Sequence, residues 1–232
     1  MEAVGRFVVV TGGTGGVGIE VVKSLVEQGI IPVVGIHKSG WSERTFSSFS
    51  DAAIMFPLDL ADGNSVDDFL MRLKCVVGDK GKLVGCMCCA SPAPTIGVFT
   101  RVRRGELEYH LKVNVIGYHH LLSSLINSFF KSQKKGCIGA ILSEAIGDGK
   151  AGNIAKNLGA YSIGKAGFKA ILDLLQIENP WLSIRTISPG YIDTKMLDNF
   201  GDRIVDHLKQ QRMVTSPQVV ADTFMDICLN EL

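Results

Sequence analysis

Residues 11–18 read Thr-Gly-Gly-Thr-Gly-Gly-Val-Gly, between an apolar run at 6–10 and a helical pattern at 16–28. So dense a glycine run is costly inside a regular element, because glycine loses more backbone freedom on ordering than any other residue. At a strand-to-helix turn the same residues become useful. They let the chain reverse tightly and bring its backbone close to a ligand. The first turn of the helix then offers free N–H groups and the positive end of its dipole to an anion. A glycine motif alone is weak, but one that follows a strand and opens a helix suits a pyrophosphate in an open α/β sheet.

The rest of the chain shows the alternation that such a sheet requires. Apolar, β-branched runs suited to strands lie at 6–10, 31–36, 53–57, 83–89, 137–142 and 183–187. Helical patterns lie at 16–28, 64–76, 106–131 and 159–177, and two more follow at 203–210 and 217–229. This order predicts parallel strands joined by right-handed crossovers. The expected fold class is α/β: a doubly wound parallel sheet of six strands with helices on both faces. The chain has 232 residues, 46% hydrophobic, with no repeat, low-complexity tract or linker, so residues 1–232 are expected to form a single domain.

The pattern at 106–131 is apolar on more than one side, with Leu111, Val115, Leu122 and Leu125 mixed among Val113, Leu121, Ile126, Phe129 and Phe130. A helix covering one sheet face needs a single apolar stripe, so the surplus predicts a subunit interface and a homodimer or homotetramer. The Gly-, Asn- and Lys-rich stretch 147–159 follows the fifth strand, where an open α/β sheet binds its ligand.

Several function classes are disfavoured. A net charge of +1 without a long basic run argues against nucleic acid and anionic membranes as partners. Arg101, Arg103 and Arg104, the densest basic cluster, read as a solvated loop. The longest apolar run, 83–90, is too short to span a bilayer. Residues 7–10 run straight into Thr11-Gly12-Gly13, as a strand does and a secretory signal does not. A cytoplasmic protein is expected, with Cys75, Cys86, Cys88, Cys89, Cys137 and Cys228 as reduced thiols. Cys86, Cys88 and Cys89 fall in a strand, whose alternate side chains face opposite ways, and no second cluster completes a tetrahedral site. Buried small side chains are expected there, and no metal.

Two places point to chemistry. An acid about twenty residues beyond the glycine turn would hold the ribose hydroxyls of NAD. That region here reads Gly35-Ile36-His37-Lys38-Ser39, without a carboxylate. Lys38 is placed to meet a 2′-phosphate as a point charge. This favours NADP(H) and leaves NAD(H) open. Further on, Tyr161 and Lys165 stand four residues apart on one helix face. A phenol of pKa ~10 is a poor acid or base at neutral pH unless a neighbouring ammonium stabilises the phenolate. A tyrosine so placed can give a proton to a carbonyl oxygen as hydride arrives, or remove one in reverse.

On these residues the chain resembles the short-chain dehydrogenase/reductase family, in its compact, Rossmann-type branch, from about residue 6 to the C-terminus. Thr11, Gly12, Thr14, Gly16, Val17 and Gly18 correspond to the family's cofactor turn. His37 and Lys38 stand at the adenosine end, Asp59 and Leu60 match the residues that hold adenine, and Ala90 matches the segment after the fourth strand. Pro189, Gly190, Ile192 and Thr194 match the segment that flanks the nicotinamide. Asn114, Ser143, Tyr161 and Lys165 match the catalytic positions.

The resemblance implies an oxidoreductase that interconverts a carbonyl and a hydroxyl group on a small organic substrate. In it Ser143 hydrogen-bonds the oxygen and Tyr161 protonates it. Lys165 lowers the phenol pKa and binds ribose hydroxyls, while Asn114 holds a water that links the lysine to solvent. The chain also departs from the family. Residues 88–91 read Cys-Cys-Ala-Ser where Asn-Asn-Ala-Gly is common, which removes a polar tie between neighbouring strands. Glu144 takes the place of a second serine, and eighteen positions separate Ser143 from Tyr161, more than is usual. Whether Ser143 or Glu144 meets the substrate therefore stays open. Gly15 beside Gly16 also satisfies the glycine pattern of the extended branch. Two alternatives remain at this level: an NADP(H)-binding sensor without turnover, and a sugar-nucleotide epimerase.

Overall fold

Each apolar run expected as a strand forms one. In the structure, a computed structural model that describes residues 5–40, 52–78, 81–147 and 153–232, these are β1 (Gly5–Thr11), β2 (Ile31–Ile36), β3 (Ile54–Pro57), β4 (Gly81–Cys88), β5 (Cys137–Ile141) and β6 (Ser183–Ile187). They pair in parallel in the order β3-β2-β1-β4-β5-β6. The winding direction reverses between β1 and β4, and a crevice opens at such a switch point beyond the carboxyl ends of the strands.

Helices cover both faces, which explains why the strands are apolar throughout rather than alternating. On one face α1 (Gly16–Glu27) and α8 (Pro217–Cys228) pack over Val8, Val10, Val34 and Ile141. On the other, Val9, Val33, Cys86 and Ile138 meet α2 (Gly63–Val77), a long rod spanning residues 104–133, and α6 (Gly159–Glu178). Local sequence sets the helix starts. The Asp62 side chain accepts from Asn64 N ahead of α2, and Ser216 accepts from Val219 N ahead of α8, with Pro217 in the first turn. A shorter helix, α7 (Asp202–Gln210), precedes α8.

The rod differs from the single regular helix expected at 106–131. It runs as α3 (Arg104–Leu111), a π-helical stretch Lys112–Gly117, α4 (Tyr118–Leu125), a second π stretch Ile126–Phe130, and α5 (Lys131–Gln133). Its apolar surplus has an internal explanation. Val113, Leu121, Leu122, Leu125, Ile126 and Phe130 are buried within the chain, because the rod lies between the sheet, α2 and α6 and so needs more than one apolar side. The apolar side chains that it leaves exposed are Tyr109 and Ile116.

A small parallel pair, β7 (Tyr191–Ile192) with β8 (Val214–Thr215), was not foreseen, since two residues carry no periodicity. Arg103 and Arg104 are solvated and paired along the helix with Glu106 and Glu108. The six cysteines are free thiols: Cys86, Cys88, Cys137 and Cys228 buried, Cys89 half-buried and Cys75 exposed. Among the described residues no helix is long and apolar enough to cross a membrane. Of the stretch 147–159, residues 148–152 lie outside the described residues. Its ends are tied by an antiparallel bridge between Ile146 and Ile154 and a parallel one between Gly97 and Leu158.

Candidate functional site

The glycine turn closes on itself in a way that a side chain would prevent. Gly12 has φ +66°, and a methyl group on Gly18 would stand 2.1 Å from the Gly12 carbonyl oxygen. α1 then starts at Gly16, after Gly15 at its N-cap, with no side-chain cap and no acid in its first turn, so its leading N–H groups remain available to an anion. Thr14 is half-buried, Gly16 is exposed, and Val17 is buried beneath the turn. Thr194 folds down onto this turn: a methyl on Gly16 would lie 2.3 Å from Thr194 Cγ2. Ile192, in β7, packs on the core layer beneath α1.

The other expected cofactor residues sit at the neighbouring strand ends. Beyond β2, His37 places Nε2 3.5 Å from Asp59 Oδ2 and Nδ1 2.7 Å from Ser39 Oγ. Asp59 Oδ1 also accepts from Ala61 N at 2.9 Å, while Leu60 is buried behind it. Lys38 is exposed at the same edge.

The polar tie missing from residues 88–91 is supplied from elsewhere. Tyr118, fully buried and stacked on Phe168 at 4.2 Å, donates its hydroxyl proton to Ala90 O at 2.8 Å. That leaves Thr11 Oγ1, 2.9 Å away, as the donor to the Tyr118 oxygen, and Ala90 N donates back to Thr11 Oγ1 at 3.3 Å. A closed loop of three hydrogen bonds thus joins the ends of β1 and β4. Burial pushes the Tyr118 phenol well above its ordinary pKa, so it stays a donor.

Three of the four remaining residues meet at the end of β5, and Asn114 lies against Gly164, which stands between Tyr161 and Lys165 on α6. Tyr161 and Lys165 are buried on the first turns of α6, and Ser143 follows β5 directly, half-buried. Burial raises the Tyr161 pKa, and the Ser143 hydroxyl beside it pulls the other way. The long spacing between these two residues therefore does not keep them apart. Ser143 Oγ also accepts from Ala145 N at 3.2 Å. Lys165 Nζ donates to Ile141 O at 2.7 Å, and burial lowers its pKa to about 8, with Cys89 and Cys88 opposing the shift. The net shift of the phenol is therefore upward, because burial outweighs the Ser143 hydrogen bond, while the Lys165 ammonium is turned to the Ile141 carbonyl. Cys89 is pushed up to about 12 by burial, so it is a neutral thiol at physiological pH and a poor nucleophile. Asn114 lies in the first π stretch, fully buried, and neither end of its carboxamide has a partner among the described residues. Glu144 is exposed, with its carboxylate beside Gly190: its N–H donates to Pro189 O at 3.0 Å, and its Oε2 would be 3.0 Å from a methyl on Gly190.

Sequence comparison supplies the family. Residues 6–204 fit the family described as short chain dehydrogenase. The chain belongs to the short-chain dehydrogenases. It is accordingly an oxidoreductase acting on a CH–OH/C=O pair. Nodulation protein G of Rhizobium sp. (strain N33) is 25% identical over 228 residues, covering 95% of this short-chain dehydrogenase and 88% of the relative. Acetoacetyl-CoA reductase of Allochromatium vinosum is 23% identical, covering 93% and 88%. Solved structures with the same fold include a 3-ketoacyl-(acyl-carrier-protein) reductase from Brucella melitensis complexed with NADH, with TM-score 0.80, 22% identity and coverage of 97% and 91%. Another is an alcohol dehydrogenase from Thermococcus sibiricus complexed with 5-hydroxy-NADP, with TM-score 0.77, 18% identity and coverage of 98% and 91%.

Two residues of this short-chain dehydrogenase escape a reading of the sequence alone. Tyr118 was hidden because its partners are 107 and 28 positions away. His110, whose ring stands against Tyr161, belongs to no motif. A small apolar cluster that packs around the Tyr161 ring, formed by Ala145 and Leu158 with Ile96, Ala155, Met196 and Phe200, is likewise scattered along the chain.

Proposed function

We propose that the 232 residues act as one NADP(H)-dependent oxidoreductase domain that reduces a carbonyl on a small organic substrate, or oxidises the matching alcohol, with Tyr161 as acid or base. The observation that carries this reading is the meeting of Ser143, Tyr161 and Lys165 at the end of β5, with Asn114 packed against the same turn of α6 and an uncapped glycine turn at the start of α1. The residues present fit a dinucleotide. The turn at Gly12–Gly18 and the open start of α1 suit its pyrophosphate, and Asp59 and Leu60 suit its adenine. The match of Pro189, Gly190, Ile192 and Thr194 to the family's nicotinamide segment, with Thr194 packed on the glycine turn, supports the same role here. NADP(H) is favoured because no carboxylate ends β2, Asp59 is engaged by His37 and Ala61, and Lys38 is exposed at the same edge.

Bound there, the dinucleotide supplies the hydride. Ser143 donates a hydrogen bond to the substrate oxygen and holds it toward Tyr161, which transfers its proton to that oxygen. The burial that raises the phenol pKa keeps it protonated, as reduction requires. Lys165, with a pKa of about 8, is mostly charged at neutral pH. It favours the phenolate left behind and can hold ribose hydroxyls. Asn114, buried without a protein partner, suits a water that returns the proton. The apolar side chains clustered around Tyr161 favour an apolar group next to the carbonyl. The names of the relatives put 3-oxoacyl thioesters among the first compounds to test.

The test is purified protein mixed with NADPH or NADH and a panel of 3-oxoacyl thioesters and apolar ketones. NADPH should be consumed faster than NADH, and Lys38→Asp should reverse that order. Tight NADPH binding with no oxidation across the panel would favour a sensor instead. An unchanged cofactor preference in Lys38→Asp would remove the 2′-phosphate assignment.

A further inference from the structure

Behind the Tyr161 phenol, one face of α3 and of the π stretch that continues it carries Glu106, His110 and Asn114 at four-residue spacing. This face looks into the protein. His110 is 3% exposed and Asn114 0%, and the Glu106 side chain is 17% exposed. A helix face turned inward is ordinarily apolar, because each buried polar group needs a partner. Here, among the described residues, His110 Nδ1 and both ends of the Asn114 carboxamide have none. Polar groups kept at such a cost, against a reactive side chain, call for a role in its chemistry.

The contact itself is specific. The His110 ring meets the Tyr161 ring at 5.9 Å between centroids and 88° between planes, edge to face. Gly164 permits this closeness. A methyl group there would lie 3.2 Å from His110 Cβ and 2.9 Å from Asn114 Nδ2, so the glycine lets α6 come this near without displacing them.

We propose that His110 is a positioning residue for the proton step: its ring fixes the Tyr161 phenol edge to face, and its imidazole, backed by the Glu106 carboxylate, sets the local field in which that phenol gives up its proton. This rests on the reading of Tyr161 as the proton donor. The groups that face His110 are Glu106 on its own rod, Tyr161 and Lys165 on α6, and the Ala93 backbone carbonyl beyond β4. Burial, the largest effect, and Lys165 lower the His110 pKa, while Glu106 and the Ala93 carbonyl raise it. Glu106 is itself held ionised, below its ordinary value, by Thr95 and Arg103. The imidazole is therefore neutral at physiological pH and takes a proton only in acid. A charged His110 would then place a second cation beside Lys165 and disturb the pair that serves Tyr161, so activity falls as pH drops through the His110 pKa.

The experiment compares pH profiles of kcat and KM for the wild type, His110→Phe and His110→Ala. Phenylalanine keeps an aromatic edge and cannot titrate; alanine removes both features. The acid limb of the wild-type profile should disappear in His110→Phe. In His110→Ala, kcat should fall by about tenfold with KM little changed, the scale of a lost aromatic pair. An acid limb that persists in His110→Phe overturns the proposal. So does a His110→Ala loss that appears only as lower stability. A second readout needs no turnover. The His110 imidazole resonance in substrate-free protein, assigned by its loss in His110→Phe, should titrate below the ordinary ~6.5 and move lower still in Glu106→Gln. An ordinary midpoint that ignores Glu106→Gln overturns the proposal whether or not Tyr161 is the acid. The shifted midpoint in a protein without carbonyl turnover would instead uphold the field and sink the reductase reading.

Discussion

Tyr118→Phe removes one oxygen atom from a fully buried position. The ring keeps its stacking on Phe168, with centroids 4.2 Å apart, so the packing contribution is retained. Two hydrogen bonds are lost: the 2.8 Å bond to Ala90 O and the 2.9 Å bond from Thr11 Oγ1. Thr11 Oγ1 still accepts from Ala90 N, so the main loss falls on Ala90 O, an acceptor that no longer has the Tyr118 donor. Leaving a buried polar group unsatisfied costs about 1–3 kcal/mol. We therefore expect a loss near 2 kcal/mol, or a fall in Tm of about 4–8 °C for a chain of this size. The bonds tie β1 to β4 at the glycine turn, so NADPH affinity should fall several-fold as well. Thermal unfolding with and without NADPH, alongside a binding titration, measures both. A Tm within about 1 °C of wild type and unchanged affinity would show that the loop of hydrogen bonds does not hold these strand ends together.

Two further outcomes follow from the buried lysine and the exposed helix faces. Lys165 has a folded pKa of about 8, depressed by burial from the unfolded value of ~10.4, so the folded state binds this proton more weakly. Its charged form thus costs stability below pH ~8, and stability rises with pH between about 8 and 10.4. In urea unfolding without cofactor, Lys165→Met should abolish that rise and gain about 1–3 kcal/mol at pH 7 relative to wild type; equal pH slopes in the two proteins would count against a buried ammonium. Tyr109 and Ile116 on the rod, with Ile163 and Leu174 on the adjacent α6, are exposed apolar side chains on neighbouring elements. We propose that they mark a dimer face. Sizing at micromolar concentration should give a dimer or tetramer, and a monomer would refute the assignment.

Much of the fold was legible in the sequence for a simple physical reason. A sheet covered on both faces needs unbroken apolar strands, and runs such as 31–36 and 137–142 stand out against the polar helices between them. The glycine turn was legible because its residues are adjacent and their geometry admits few alternatives. What stayed hidden depended on distance or on backbone detail. Tyr118 reaches Thr11 across the fold, and no local pattern reveals that it replaces a missing asparagine tie. The π widening that carries Asn114 leaves no mark in composition, and β7 with β8 is too short for one. The apolar surplus of the rod suggested a partner, yet most of it serves three neighbours within the chain. Tyr161 with Lys165 was read correctly as a helix-face pair. The direction of the phenol shift was not, because burial cannot be read from spacing.

The central claim is that Tyr161 moves the proton while the chain binds a nicotinamide cofactor. The most direct test is Tyr161→Phe, assayed for carbonyl-dependent NADPH oxidation and for NADPH affinity in the same preparation. The account predicts a fall in kcat of about 10²-fold or more with cofactor affinity largely intact. Turnover at the wild-type rate in Tyr161→Phe would contradict it.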